Sequence, residues 1–217
     1  MLIMLNNSRA DALVEAKQQW PLLPVETTDT GLEIGGQQVV QYWERPLMER
    51  MGKAVSVNGG HVLEIGFGLG MSANAILASG CTSYTVIEAH PEIANRARKL
   101  LSRTDIPHTT VIEGFWEDVI RDLPSESFDG ILFDTCPISE TQRDIWYRAF
   151  NDFAPRFLKP GGIYTYFSNQ DGDGPLREWP SLAKDFSSII VEEVPVNPSS
   201  NCDYWRSSTI LMPILKK

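Results

Sequence analysis

Three glycines at alternate positions, Gly66, Gly68 and Gly70, follow a short apolar run, Val62-Leu63-Glu64-Ile65. A second apolar run, Tyr84-Thr85-Val86-Ile87, delivers Glu88, which stands 22 positions beyond Gly66. Glycine in such a turn lets the main chain bend sharply and lets a ligand lie against bare backbone. An acid about 20 residues further on is where a nucleotide-binding β–α–β unit places its acceptor for ribose hydroxyls. Glu88 fits that task, because a carboxylate offers two oxygens to two hydroxyls; Ala89 lies beside it. A second acid, Glu64, precedes Gly66 by two residues. The spacing is G-x-G-x-G, not G-x-G-x-x-G. A plain tight turn is the competing reading of the glycines alone. The strand before them and the acid behind them favour a cofactor loop. Asp134 closes a third apolar run, Phe128–Phe133. An acid at the tip of a central strand is costly unless a cation or donor meets it. Asp134 is therefore the leading catalytic candidate. In Glu113-Gly114-Phe115-Trp116, the two aromatics either flank a flat heterocycle or belong to the core.

The elements that must carry these residues alternate. Strands over 62–66, 84–88, 109–113, 128–133 and 163–167 are followed or separated by helices over 70–79, 91–102, 116–122 and 140–158. Such alternation predicts a parallel sheet with helices on both faces. Two late β-rich runs, Ser188–Val196 and Ser208–Leu215, joined by a loop rich in Pro, Asn and Ser, predict an antiparallel hairpin at one edge. Before the alternation, Ser8 to Trp20 reads as a helix with Ser8 as its cap, ended by Pro21 and Pro24. Leu32–Ile34 reads as a short strand turned by Gly35-Gly36. Val39–Val55 reads as a helix, with Val40, Trp43, Leu47 and Met51 at spacings of three and four and Pro46 in its first turn or at a kink.

Bulk properties bound the partners. The chain has 217 residues, and its 19 basic against 28 acidic residues give a net charge of −9. One domain over 1–217 is expected, with a helical segment over 1–58 ahead of an α/β core over 59–217. The acidity argues against a nucleic-acid partner. No run approaches the roughly 20 apolar residues of a membrane span. Met1–Leu5 is short and lacks a basic lead-in, so no signal peptide is expected there. Three cysteines without a C-x-x-C spacing, Cys81, Cys136 and Cys202, fit reduced thiols and a cytoplasmic setting. The histidines, His61, His90 and His108, are scattered, and no metal centre is expected.

The glycine loop with Glu64 and Glu88 resembles the first two motifs of class I S-adenosylmethionine-dependent methyltransferases. Their Rossmann-like seven-stranded layout, with an antiparallel edge hairpin, matches the whole course of elements. Longer runs are more selective. Gly114-Phe-Trp-Glu-Asp-Val119, Phe128-Asp-Gly-Ile-Leu-Phe-Asp-Thr-Cys-Pro-Ile-Ser-Glu140, Val39-Val-Gln-Tyr-Trp-Glu44, Leu158-Lys-Pro-Gly-Gly-Ile-Tyr-Thr-Tyr166 and Cys202-Asp-Tyr-Trp205 resemble guanidinoacetate N-methyltransferase and the related fungal arginine N-methyltransferases.

That resemblance implies S-adenosyl-L-methionine as cofactor, held by Glu64, Gly66, Gly68, Gly70, Glu88, Ala89, Gly114, Phe115, Trp116 and Asp134. It implies a small guanidino compound as acceptor, with Glu44 and Asp134 gripping the guanidinium. Trp20 falls in the family's N-terminal lid. Trp43, Thr135 and Cys136 fall around the acceptor, and Ser168, Asn169 and Gln170 where the family holds its substrate's carboxylate. Cys136 replaces the family's usual tyrosine and 168–170 departs from its pattern, so a guanidine other than guanidinoacetate is expected. Read on its own, without the resemblance, Glu44 is more simply a solvated acid on a helix. The competing functions are the same cofactor with a different amine or a hydroxyl acceptor, an aminopropyltransferase on the same fold, and a non-catalytic cofactor-binding subunit. A monomer or homodimer is expected.

Overall fold

The computed structural model describes residues 7–139, 142, 146–172 and 175–217. Helix α1 (Asn7–Gln19) leads through a 3-10 turn, Trp20–Leu22, into a three-stranded antiparallel sheet of β1 (Val25–Thr27), β2 (Gly31–Ile34) and β3 (Gln37–Gln41). A second 3-10 turn, Tyr42–Glu44, opens α2 (Arg45–Val55). Then come β4 (His61–Ile65), α3 (Met71–Ala78), β5 (Ser83–Glu88), α4 (Pro91–Leu101) and β6 (His108–Glu113). α5 (Trp116–Val119), β7 (Phe128–Phe133), α6 (Ala154–Phe157), β8 (Leu158–Tyr166) and α7 (Trp179–Leu182) follow, and β9 (Ser188–Pro195) and β10 (Thr209–Lys216) close the chain.

The main sheet runs β6-β5-β4-β7-β8-β10-β9. Its first five strands are parallel, and β10 is antiparallel to both β8 and β9. The α/β class, the seven strands and the edge hairpin are those expected. Strands buried on both faces read as continuous apolar runs, and pleating sends alternate residues to opposite faces. Val62, Val86 and Leu132 thus meet Met51, Ile76 and Ile93 of α2, α3 and α4. Leu63, Ile87, Ile131 and Phe133 meet Phe150, Phe157 and Leu182 on the other face. Burying each such side chain contributes roughly 1.5–3 kcal/mol.

The expected helix over 39–55 is shorter. Gly35 and Gly36 adopt φ of +59° and +80° and set Ile34 opposite Gln37, a two-residue hairpin turn whose twist suits paired strands. Residues 39–41 are therefore strand, 42–44 a 3-10 turn, and the helix starts at Arg45 with Pro46 in its first turn, where a missing N–H costs nothing. The expected helix over 140–158 also differs. Residues 140, 141 and 143–145 lie outside the described residues. The remainder holds a 3-10 turn, Trp146–Arg148, and the single turn α6, with Pro155 at its start.

Candidate active site

A cavity of about 910 Å³ opens at the carboxyl ends of β4, β5, β6 and β7, within the size range of small-molecule sites. Gly66 shapes it. Its φ is +90°, and a β-carbon there would stand 1.9 Å from the carbonyl oxygen of Asp134. Only a residue without a side chain lets the turn after β4 close on the end of β7, where the Asp134 N–H donates to the Ile65 carbonyl at 2.9 Å.

Glu88 faces this turn. Its Oε2 accepts the Phe67 N–H at 2.9 Å and its Oε1 the His90 N–H at 2.8 Å. Burial raises its pKa, and those amides oppose the rise. Each oxygen keeps a further lone pair for a ligand hydroxyl. Gly114, Phe115 and Trp116 also line the cavity. Trp116 is both wall and core, with its ring edge-on to Phe133 and Phe150 at 5.7 and 5.3 Å. Above Phe115, Lys17 of α1 places its ammonium 4.9 Å from the ring centroid and donates to Asp118 at 3.0 Å. Leu13 and Trp20 reach the cavity too, so the N-terminal segment forms part of its cover.

At the other end stand the two acids. Asp134, Thr135 and Cys136 line the cavity. Burial pushes the Asp134 carboxyl up, and no described residue donates a hydrogen bond to it. Glu44 is 3% exposed on its 3-10 turn. Its Oε1 accepts the Gln41 N–H at 2.6 Å and the Tyr204 hydroxyl. Burial, and then the charge of Asp134, push Glu44 up; those two donors pull it back. Two buried acids close enough to repel thus share one corner of the fold, the arrangement in which a like-charged pair retains a proton until a cation arrives.

Several expected site residues sit elsewhere. Glu64 does not line the cavity. It points to the α3 side of the sheet and accepts the hydroxyls of Ser72 and Tyr84, and burial pushes it up to about 8. Gly70 is likewise off the wall; its φ of +69° turns the chain into α3. Trp43 and Glu44 stand behind the lining, with the Trp43 ring tilted against Tyr204 at 6.0 Å and its Nε1 donating to Gln41 Oε1 at 3.0 Å. Ser168, Asn169 and Gln170 are also absent from the lining and serve the loop after β8. The Ser168 hydroxyl donates to the Leu211 carbonyl at 2.6 Å, and the Gln170 carbonyl accepts the Leu211 N–H at 2.8 Å. Gln170 Oε1 accepts the Arg177 N–H at 3.1 Å, and Asn169 takes a left-handed φ of +51°. Sequence reasoning assigned no role to Gln41 or Tyr204. Tyr204 lies in a quoted motif, but nothing in the spacing shows that it reaches a partner 160 residues away.

Among the described residues no group of three or more His, Cys, Asp or Glu is placed to hold a metal ion, and no helix is long and apolar enough to cross a membrane.

A family model described as guanidinoacetate N-methyltransferase matches residues 14–185. The chain belongs to that family. Gly66, too close to the Asp134 carbonyl for any β-carbon, together with the buried Glu88, fits S-adenosylmethionine as a ligand of this cavity. Protein arginine N-methyltransferase 2 of Saccharomyces cerevisiae is 29% identical over 178 residues, which cover 78% of this chain and 40% of the yeast protein. The Debaryomyces hansenii protein of the same name is 31% identical over 148 residues, 62% of this chain and 33% of its own. The family member thus spans about 40% or less of the length of these curated relatives. Solved structures share its fold. Spermidine synthase from Thermotoga maritima superposes with a TM-score of 0.60 at 15% identity, covering 89% of this chain and 72% of that one. An O-methyltransferase from Bacillus cereus in complex with SAH gives 0.56 at 14% identity, covering 99% and 93%.

Proposed function

We propose that this family member is an S-adenosylmethionine-dependent methyltransferase that adds a methyl group to a guanidino nitrogen of a small molecule. The single observation that carries the reading is the Glu44–Asp134 pair: two buried acids, both pushed up, neither with an ion-pair partner among the described residues. A guanidinium is planar, cationic and rich in donors, and each carboxylate takes paired N–H bonds from it. Its arrival beside Asp134 offsets the repulsion between the two acids and expels the retained proton.

Gly66 and Gly68 would offer bare main chain to the cofactor, Glu88 would accept its ribose hydroxyls, and Phe115 and Trp116 would hold its adenine. When bound, S-adenosylmethionine supplies an electrophilic methyl on a sulfonium. Asp134, on the cavity wall, draws off the proton of the attacking nitrogen as general base, because a guanidine is a poor nucleophile while it keeps that proton. Glu44, fixed by Gln41 and Tyr204 behind the cavity wall, adds its charge to that of Asp134 in drawing the guanidinium to this corner, and holding the reacting atoms in line supplies much of the acceleration.

A second acceptor source is an arginine side chain within a polypeptide, favoured by relatives named protein arginine N-methyltransferase. The test is transfer from S-adenosylmethionine to a panel of free guanidines, arginine peptides, phenols and simple amines, read by product mass. Methylated guanidine as the main product supports the reading. Clean transfer to a phenol or amine, with the guanidines untouched, removes it.

A further inference from the structure

Strand β3 is irregular. Leu32 of β2 pairs with Val40 and Glu33 with Gln38, so Val39 is an extra residue on β3, a β-bulge. Successive side chains of a regular strand point to opposite faces, which would send residues 38 and 41 apart. The extra residue cancels that alternation and re-aims the side chains beside it. Val39 and Val40 both line the cavity. Gln38 and Gln41 both reach the loop between β9 and β10. Gln38 Nε2 donates to the Asn201 carbonyl at 2.9 Å, and Gln38 Oε1 accepts the Asp203 N–H at 3.0 Å. Its amide thus pairs with the main-chain groups on either side of Cys202, as a neighbouring peptide group would. Gln41 Oε1 accepts the Ser199 hydroxyl.

The next residue of that loop is Tyr204, whose hydroxyl donates to Glu44. The Gln41 N–H holds the same carboxylate oxygen at 2.6 Å. One end of β3 therefore grips the acid itself, and the other grips the loop that brings the acid its second donor. Cys202 is fully buried and its N–H donates to the Ser199 carbonyl at 3.0 Å, so the loop is seated in the core without Gln38. What Gln38 adds is the position of the main chain immediately ahead of Tyr204. Gln37 turns the other way and donates to the Pro137 carbonyl at 2.8 Å, in the segment that follows Asp134. Adjacent glutamines thus hold the chain next to each member of the acid pair. Resting on the guanidino reading above, we propose that Gln38 is a positioning residue for the acceptor: through residues 201–203 it places Tyr204, and through Tyr204 the Glu44 carboxylate.

The experiment is steady-state kinetics on the full chain at saturating S-adenosylmethionine, with guanidinoacetate, arginine and an arginine peptide as acceptors. Gln38→Leu keeps the bulk of the side chain and removes both amide bonds. For whichever acceptor the wild type methylates, it raises KM by about threefold to tenfold, the scale of one or two ordinary hydrogen bonds. Its kcat stays within about twofold, because Asp134 is untouched, and its affinity for S-adenosylhomocysteine is unchanged. In a Tyr204→Phe background the same substitution changes KM by less than about twofold, since the route to Glu44 is already cut. Ser199→Ala, a smaller change in the same loop, moves KM in the same direction and also loses its effect in Tyr204→Phe. A role in stability alone would lower the melting temperature and leave KM where it was. An unchanged KM in Gln38→Leu, a loss confined to kcat, or effects of Gln38→Leu and Tyr204→Phe that multiply overturns the role of Gln38 while guanidine methylation stands. A wild type that methylates none of the three acceptors removes the guanidino reading itself, and this role with it.

Discussion

The hydroxyl of Tyr204 donates to Glu44 Oε1, so the loop between β9 and β10 holds an acid that sits 160 positions earlier, just ahead of α2. Burial and Asp134 raise the Glu44 pKa, whereas this hydroxyl and the Gln41 N–H lower it. In Tyr204→Phe one restraint is lost, and the acid pair holds its proton to higher pH. A hydrogen bond to a charged group contributes about 1.5–3 kcal/mol, so KM for a guanidine should rise by about tenfold or more at neutral pH. The acid limb of the kcat/KM profile should move upward. In the wild type, kcat/KM should already fall as pH drops through neutrality, because protonation discharges the pair; an ordinary carboxylate would hold activity down to about pH 4. An unmoved profile in Tyr204→Phe would separate Tyr204 from the site.

Much of the cofactor end was legible in the sequence, because its signals are local. An apolar strand, a glycine turn and an acid one strand later are fixed by short spacings, and the structure brings Gly66, Gly68 and Glu88 to one cavity. The acceptor end was legible only through motif resemblance. Periodicity placed Glu44 on a helix; the Gly35-Gly36 hairpin instead makes residues 37–41 a strand and puts Glu44 on a buried 3-10 turn. Pleat alone would have turned Glu64 away from the side of Leu63 and Ile65, yet its neighbours Ser72 and Tyr84 come from other elements. The Tyr204–Glu44 and Arg148–Glu178 pairs are long-range, and no window of sequence carries them.

Glu88→Gln keeps the shape but changes one oxygen from acceptor to donor. Affinity for S-adenosylhomocysteine should fall by roughly 1–3 kcal/mol, read by calorimetry on protein with an unchanged circular dichroism spectrum. Unchanged affinity would remove Glu88 from the ribose role.

Cys136 lines the cavity beside Asp134. Cys136→Tyr fills that space and restores a hydroxyl, so it should shift kcat/KM toward guanidinoacetate and away from larger guanidines. A pocket that gains or loses one polar contact changes selectivity by more than a change of volume alone. A wild type that strongly prefers guanidinoacetate would contradict this view of the wall.

Glu64 has its folded-state pKa raised by burial to about 8. A raised carboxyl pKa means that the folded state binds the extra proton. The stability this group contributes is therefore complete below the ordinary carboxyl range and is lost as pH climbs through about 8. The melting temperature of the wild type should fall over that window, and Glu64→Gln, which has no proton to lose, should flatten the decline. Parallel curves for the two proteins would show that Glu64 is ionised throughout.

The central claim is that Asp134 serves as general base for transfer to a guanidine. Its most direct measurement is turnover of a guanidino acceptor by the wild type and by Asp134→Asn, side by side, with product mass as the readout and cofactor affinity as the control. The account predicts a methylated guanidine from the wild type, turnover lower by roughly 10²–10⁴ in the variant, the range for a positioned base, and near-normal affinity for S-adenosylhomocysteine. Turnover that survives in Asp134→Asn would contradict it and leave Asp134 a mere strand-end acid.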